Sequence, residues 1–390
     1  MSRSALLLIA GSAVALLATV LGGERHDYPA YLEQWRLVLA GLDPWSGDNA
    51  YGPLHNAFAP LLIIHPLVPK IVTTASLCIA NGLLVFALER QRPWRDWRLV
   101  YLLAFGANIL PWVSVFWFGN NDGVVAALVI GAVLARRDGR MLLCGLLLGL
   151  ATLDKYYPAL LIPFFALDER KVETRLILSA LVTTAVGMIT GILIWGRAFF
   201  EAVAFGISRD ATILSIFHTF SVVGQAAGYG DAADALVRLN SLLVLGVWIG
   251  AVGLAWVRRD NWLVASTWGF LAMLVTYKVG HQQFYVTWCA LVACLLLVNS
   301  PAAERLARLS LPYATFLSIF QLGFIALQPV YYRGQWVFIP NYIGVVSLGL
   351  ALVQLWLFLR SPQRQSRASR NPDQTMGHSE VQPGLPLSRE

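Results

Sequence analysis

An aspartate and a lysine, Asp154 and Lys155, stand side by side inside an otherwise largely apolar stretch over 141–167. An ammonium at membrane depth is costly without a partner, so by default it marks a functional position. The partner is either Asp154 itself or an anion supplied by a ligand, such as a lipid phosphate. Tyr156, Tyr157 and Pro158 follow directly. A second cluster, Glu24-Arg25-His26-Asp27-Tyr28, comes just after the first apolar run. A carboxylate at Asp27 can bind a cation, accept a proton from a substrate hydroxyl, or cap the helix that begins beside it. A third, Gly119-Asn120-Asn121-Asp122-Gly123, lies between two apolar runs. Asn121 and Asp122 either cap the second run or line an anion site at its N-terminus. The fourth runs from Tyr277 through Lys278, His281 and Gln282 to Tyr285. Cation, imidazole, amide and phenol together suit phosphate and sugar recognition; the alternative is an interface anchor with a snorkelling lysine.

Other chemistries lack their residues. No His, Cys and Asp set has zinc spacing, and there is no Gly-rich phosphate loop of the nucleotide-binding kind. His65 and His218 stand alone and read as structural. The four cysteines, Cys78, Cys144, Cys289 and Cys294, fall in apolar runs and read as buried free thiols.

Positioning these clusters falls to helices in a membrane. The chain is 57% hydrophobic and 13% charged, with mean hydropathy +0.62; soluble domains carry about 25% charged residues. Apolar runs predict spans at 4–22, 70–89, 99–118, 120–135, 174–195, 238–257, 262–279, 284–298, 312–328 and 338–359. Residues 57–69 are short and proline-rich, and read as a re-entrant or interfacial piece. Residues 141–167 read as a hairpin of two short helices turning at Asp154, Lys155 and Tyr156, since irregular backbone at that depth belongs beside a polar cavity. Gly145 and Gly149 read as helix-packing positions. Tyr31, Trp35, Val38 and Leu39 share one face of a short helix expected to lie on the interface. The fold class is thus all-α, a polytopic membrane protein of about 10–12 helices. It forms one unit over 1–360 with a disordered tail over 361–390. The net charge of +7 comes from short basic clusters between apolar runs, a pattern of membrane orientation and not of nucleic-acid binding. With both termini cytoplasmic, most of the 29 lysines and arginines face the cytoplasm. The polar clusters then share the opposite face.

The segments His26-Asp27-Tyr28, Tyr51-Gly52-Pro53-Leu54, Gly119 to Gly123, Gly149 to Pro158 and Lys278 to Trp288, in that order, resemble the C-type glycosyltransferases. These multi-spanning enzymes use polyprenyl-phosphate sugars. Two branches are similar: the bacterial glycosyltransferase family 87, and the transferase that adds the first mannose to glycosylphosphatidylinositol. The resemblance implies a polyprenyl-phosphate sugar donor, a lipid or glycan acceptor and transfer of a hexose, mannose by default, on the non-cytoplasmic face. It implies Asp27 as the catalytic carboxylate and Lys155 and Lys278 on the donor phosphate. Asn121, Asp122, His281 and Gln282 would line the sugar, with Tyr156 also against substrate. Many members pair two acidic residues in the first loop. Here Arg25 and His26 precede Asp27, so no metal ligand is assigned and a divalent cation stays an open alternative. Glu24 and Glu33 are the fallback carboxylates. On this reading Asp27→Asn and Lys155→Met each abolish transfer in a folded protein.

Three rivals remain. Broken helices and a Lys-Asp pair at depth suit a transporter or flippase of lipid-linked sugars, although no inverted repeat is visible. A scaffold would leave the polar loops unexplained. A membrane acyltransferase would need a histidine at depth, for which His65 is the candidate.

Overall fold

The computed structural model describes residues 3–25, 27–46, 51–168, 171–298, 300–331 and 338–360. The expected disordered tail over 361–390 and the side chain of His26 lie outside them. Helices dominate, and the described strands form a single two-stranded hairpin, Leu167–Asp168 with Lys171–Val172.

Among the described residues six helices are long and apolar enough to cross a membrane. A further expected span, 99–118, is broken. Trp94–Gly106 and Ile109–Trp117 meet at a 40° bend. Asn108 sits at the break, where its Nδ2 donates to the Leu103 carbonyl at 2.7 Å and its Oδ1 accepts from the Leu110 amide at 3.0 Å. One side chain thereby ends one limb and caps the next. Wide π turns over Leu102–Gly106 and Val113–Trp117 flank it, as at many kinks.

Shorter apolar helices complete the bundle. Trp262–Thr276 and Tyr285–Cys294 are buried over nearly their whole length. Wrapped by protein, they need not match the hydrocarbon thickness, which explains helices shorter than an isolated span. The hairpin over 141–167 is present. Met141–Asp154 rises from Arg136, and Tyr157–Ala166 returns to it, since Arg136 Nε donates to the Phe165 carbonyl at 3.0 Å. Gly145 and Gly149 do pack helices. A Cβ on Gly145 would stand 2.3 Å from the Leu176 carbonyl, and one on Gly149 would stand 2.7 Å from Thr183 Cβ.

Helix polarity sorts the loops onto two ends. At one end Arg92 pairs with Glu304 at 2.9 Å, and Arg258 donates to the Leu359 carbonyl. The polar clusters gather at the other. There the helix Tyr28–Leu39 buries Tyr31 and Trp35 as expected, but against protein. Trp35 Nε1 donates to the His55 carbonyl at 2.8 Å, and Leu39 is exposed. The short segment beneath it, Pro53–Asn56 and Ala59–Ile63, takes the place of the lipid surface. Ile63 and Ile64 on that segment are bare, as suits an interfacial piece.

Candidate active site

The site begins where two helix ends cross. Asp122 opens the helix Asp122–Arg137, and Lys155 directly follows the helix Met141–Asp154. A carboxylate at an N-terminus and an ammonium at a C-terminus both complement the helix dipoles. Lys155 Nζ donates to Asp122 Oδ2 at 2.7 Å, with both side chains buried. The partner of the lysine is therefore Asp122, and not its neighbour Asp154. The backbone explains why. Lys155 is extended, with φ −135 and ψ 137, so consecutive side chains diverge. Asp154 turns instead to Asn121, whose Nδ2 donates to Asp154 Oδ2 at 2.8 Å. Asn121-Asp122 and Asp154-Lys155 thus clamp each other residue for residue. Asn121 makes no side-chain cap bond.

More groups complete the clamp. Gln283 Oε1 accepts from Lys155 at 3.1 Å, while Tyr51 and Phe284 turn ring faces to the ammonium at 5.1 and 5.8 Å. Tyr157 OH donates to Asp122 Oδ1 at 3.1 Å and meets Thr287 Oγ1 at 2.8 Å. His55 approaches Asn121 Nδ2 through Nδ1 at 3.3 Å. Burial, with Lys155 nearby, pushes the His55 pKa down to about 3, so its ring is neutral and accepts at Nδ1. Asp154 Oδ1, Asn121 Oδ1 and His55 Nε2 are buried and make no hydrogen bond among the described residues.

A cavity of about 310 Å³ opens against Lys155. Its polar lining includes Tyr51, Tyr156, Tyr157, Arg209 and Gln283, and its apolar lining includes Leu160, Val244, Phe270, Met273 and Leu274. The Tyr156 hydroxyl is buried and makes no hydrogen bond among the described residues.

Asp27 occupies the N-cap position of Tyr28–Leu39, yet its side chain makes no cap bond. The carboxylate is exposed to solvent but has protein on most sides, like a group on the wall of a cleft. Burial raises its pKa; Lys155 and Arg209 pull the other way, and Asp122 adds to the rise. Asp27 therefore stands within electrostatic reach of both cavity cations. Glu24 and Glu33 are exposed.

The turn beside Asp27 depends on Gly119. Its φ is +76, and a Cβ there would stand 2.6 Å from Tyr28 Cδ2. Gly119→Ala should cost about 1–2 kcal/mol in backbone strain and displace Tyr28. Thermal denaturation in detergent checks this, and an unchanged midpoint would contradict it.

Arg209 comes from the second long loop and carries no sequence signal. It is a single arginine outside any motif. The Thr212 amide docks that loop by donating to the Lys278 carbonyl at 3.0 Å. Arg209 Nη2 lies 3.1 Å from His281 Nε2. Burial, then Arg209 and Lys155, push the His281 pKa down to about 3, so the imidazole is the acceptor. Lys278 does not line the cavity. Its backbone amide donates to Asn240 Oδ1 at 2.8 Å, and Asp210 is the charge acting on its side chain. Gln282 is half-buried, and its neighbour Gln283 is the amide that reaches Lys155. Among the described residues no group of three or more His, Cys, Asp or Glu could hold a metal ion.

The family model of glycosyltransferase family 87 matches residues 50–277. The chain belongs to glycosyltransferase family 87. It is a membrane glycosyltransferase. No curated protein matches it. The family 87 match takes in Tyr51, Asn121, Asp122, Asp154, Lys155 and Arg209, and ends at Tyr277. Asp27, His281 and Gln283 lie outside the matched stretch and join the cluster only through the geometry and charge around Lys155.

Proposed function

We propose that this glycosyltransferase moves a hexose from a polyprenyl-phosphate donor to a hydroxyl of a lipid or glycan acceptor, on the non-cytoplasmic face. The observation that carries the reading is one cavity lined by both cations and apolar side chains. Lys155 and Arg209 line it together with Val244 of the helix Asn240–Arg258. That helix is mostly exposed, as lipid-facing helices are. The lining offers cations to an anionic head and apolar side chains to its tail. The basic loops at the opposite end support cytoplasmic termini.

In this mechanism the acceptor oxygen attacks the anomeric carbon as the bond to the phosphate oxygen breaks. Asp27 takes the hydroxyl proton, and the electron pair leaves with polyprenyl phosphate. Arg209 and Lys155 stabilise that departing anion, as preorganised positive charge does. Lys155 is already paired with Asp122, whereas Arg209 rests on a neutral imidazole. Arg209 therefore brings the larger uncompensated charge, a role first expected of Lys278. Tyr156 lines the cavity and packs against the bound substrate. Asp122 holds Lys155, and Asn121 holds Asp154 beside it.

The test is purified protein with a panel of radiolabelled polyprenyl-phosphate sugars, mannose first, and membrane lipid extract as acceptor. Label should pass from donor to acceptor. Labelled solute crossing proteoliposomes with no donor consumed would favour the transporter reading. Arg209→Gln removes a charge-assisted contact worth about 1.5–3 kcal/mol, and should weaken donor use on the order of 10- to 100-fold. Unchanged donor KM and kcat in that variant would remove Arg209 from the phosphate site.

A further inference from the structure

Lys70 is a buried lysine at this end of the bundle, besides Lys155 and Lys278, and nothing in the proposed chemistry uses it. It lies in the first turn of the helix Val68–Glu89, with 0% of its surface exposed. Its Nζ donates to the Gly23 carbonyl at 2.8 Å and to the Trp117 carbonyl at 3.1 Å. No carboxylate lies within ion-pair distance of it among the described residues. The two carbonyls explain how the charge is tolerated. Gly23 follows the end of the helix Arg3–Gly22, and Trp117 ends the bent helix. Each helix C-terminus carries about half a negative charge, so two of them together oppose one ammonium.

The contacts of Lys70 bracket Asp27. On one side of the loop the ammonium holds Gly23. On the other the Lys70 backbone amide donates to Tyr28 OH at 3.3 Å, and the ammonium lies 5.5 Å from the Tyr28 ring centre. Tyr28 OH in turn donates to the Pro66 carbonyl at 2.5 Å. The Trp117 carbonyl lies two residues before Gly119, against which the Tyr28 ring packs. One side chain thus ties together the chain entering Asp27, the residue leaving it, and the strand of backbone that leads to Asn121 and Asp122.

We propose that Lys70 is a positioning residue that sets the placement of Asp27 relative to the Asp122–Lys155 pair. It touches neither donor nor acceptor, and it acts through the Gly23 carbonyl on one side of the carboxylate and the Tyr28 ring on the other. The inference rests on the reading of Asp27 as the base. A displacement of about 1 Å at a reacting group can cost on the order of 100-fold in rate.

Lys70→Met and Lys70→Arg separate this role from a general loss of folding. With a polyprenyl-phosphate sugar as donor, Lys70→Met should lower kcat by about 100-fold with donor KM nearly unchanged, because Lys155 and Arg209 are untouched. Lys70→Arg, which keeps a cationic donor, should recover most of kcat. In an Asp27→Asn background Lys70→Met should add no further loss. A parallel loss in kcat and rise in KM, no rescue by arginine, or no effect of Lys70→Met would each overturn the proposal. A second measurement does not depend on the chemistry. Asp27→Cys, in a chain whose natural cysteines are replaced, is labelled with a membrane-impermeant maleimide. Lys70→Met should change the labelling rate, and Lys70→Arg should leave it near the parent value. If no sugar donor is consumed by the unmodified protein, the transferase reading fails, yet the labelling still decides whether Lys70 governs position 27. Equal labelling in all three chains would overturn it.

Discussion

Asp27→Asn should reduce transfer by about 10²- to 10⁴-fold, the usual contribution of a positioned general base, while the protein stays folded. The variant keeps the shape of the side chain and removes its basicity. Asp27 also predicts a pH profile. The working form is the deprotonated carboxylate, and burial raises its pKa. The acid limb of kcat/KM should therefore lie at higher pH than an unperturbed aspartate, about 3.9, would give. The sign for stability runs the other way. A carboxyl whose pKa is raised on folding contributes stability that is fully present below its unfolded pKa and is lost as pH rises through the folded value. At neutral pH the ionised group is thus a liability, and Asp27→Asn should melt no lower than the parent protein. A folded variant with full transfer would remove Asp27 from the chemistry. A variant that melts markedly lower would point back to a structural cap.

The second large effect concerns Lys155. The reading of Lys155→Met as a folded, inactive variant does not survive the geometry. Removing the ammonium leaves Asp122 buried, with the Tyr157 hydroxyl as its remaining side-chain donor. Breaking one half of a buried ion pair costs about 3–5 kcal/mol. Lys155→Met should therefore lower the melting temperature steeply as well as abolish transfer. Pairing it with Asp122→Asn removes both charges together, and replacing a whole buried pair is often near neutral. The double variant should regain most of the lost stability and none of the activity. Melting curves of the two single variants and the double variant read the coupling directly. If the double variant were as unstable as the single, the pairing of Asp122 with Lys155 would be refuted.

Much of the fold was legible because a membrane imposes a simple rule. Most long apolar runs became helices ending within a few residues of the expected bounds, although 99–118 is broken at Asn108, and the interruption at Asp154 and Lys155 marked a hairpin. The partners across space were not legible. Asp122 and Lys155 each stood out as charges among apolar neighbours, yet periodicity does not say which helix ends meet. Asp154, the sequence neighbour, was the one protein partner expected for Lys155, and the extended backbone at Lys155 turns it away. The helix at Tyr28–Leu39 showed its apolar face plainly. A greasy face fits lipid and protein alike, so the short segment that covers it was missed. Arg209 belongs to no motif, and the loop that delivers it docks through backbone atoms, which any sequence possesses. Lys70 looked like the edge of a span, where lysines are common. Only its carbonyl partners make it unusual. Gln282 and Gln283 differ by one position, and the turn of the chain at that point decides which of them faces inward.

The helix Met141–Asp154 has 14 residues. At about 1.5 Å per residue it climbs roughly 21 Å of a hydrocarbon core about 30 Å thick. Starting from the basic end, it stops well short of the far headgroups, and Lys155 rides on its tip. On the proposed function, one helix length acts as a depth gauge, setting the immersion at which the glycosidic bond would be exchanged. A lipid-linked sugar would then sink its head to reach that level, and bulk water would meet the same barrier. Hydrolysis, the wasteful competitor of every activated sugar, would be disfavoured by the depth of the floor.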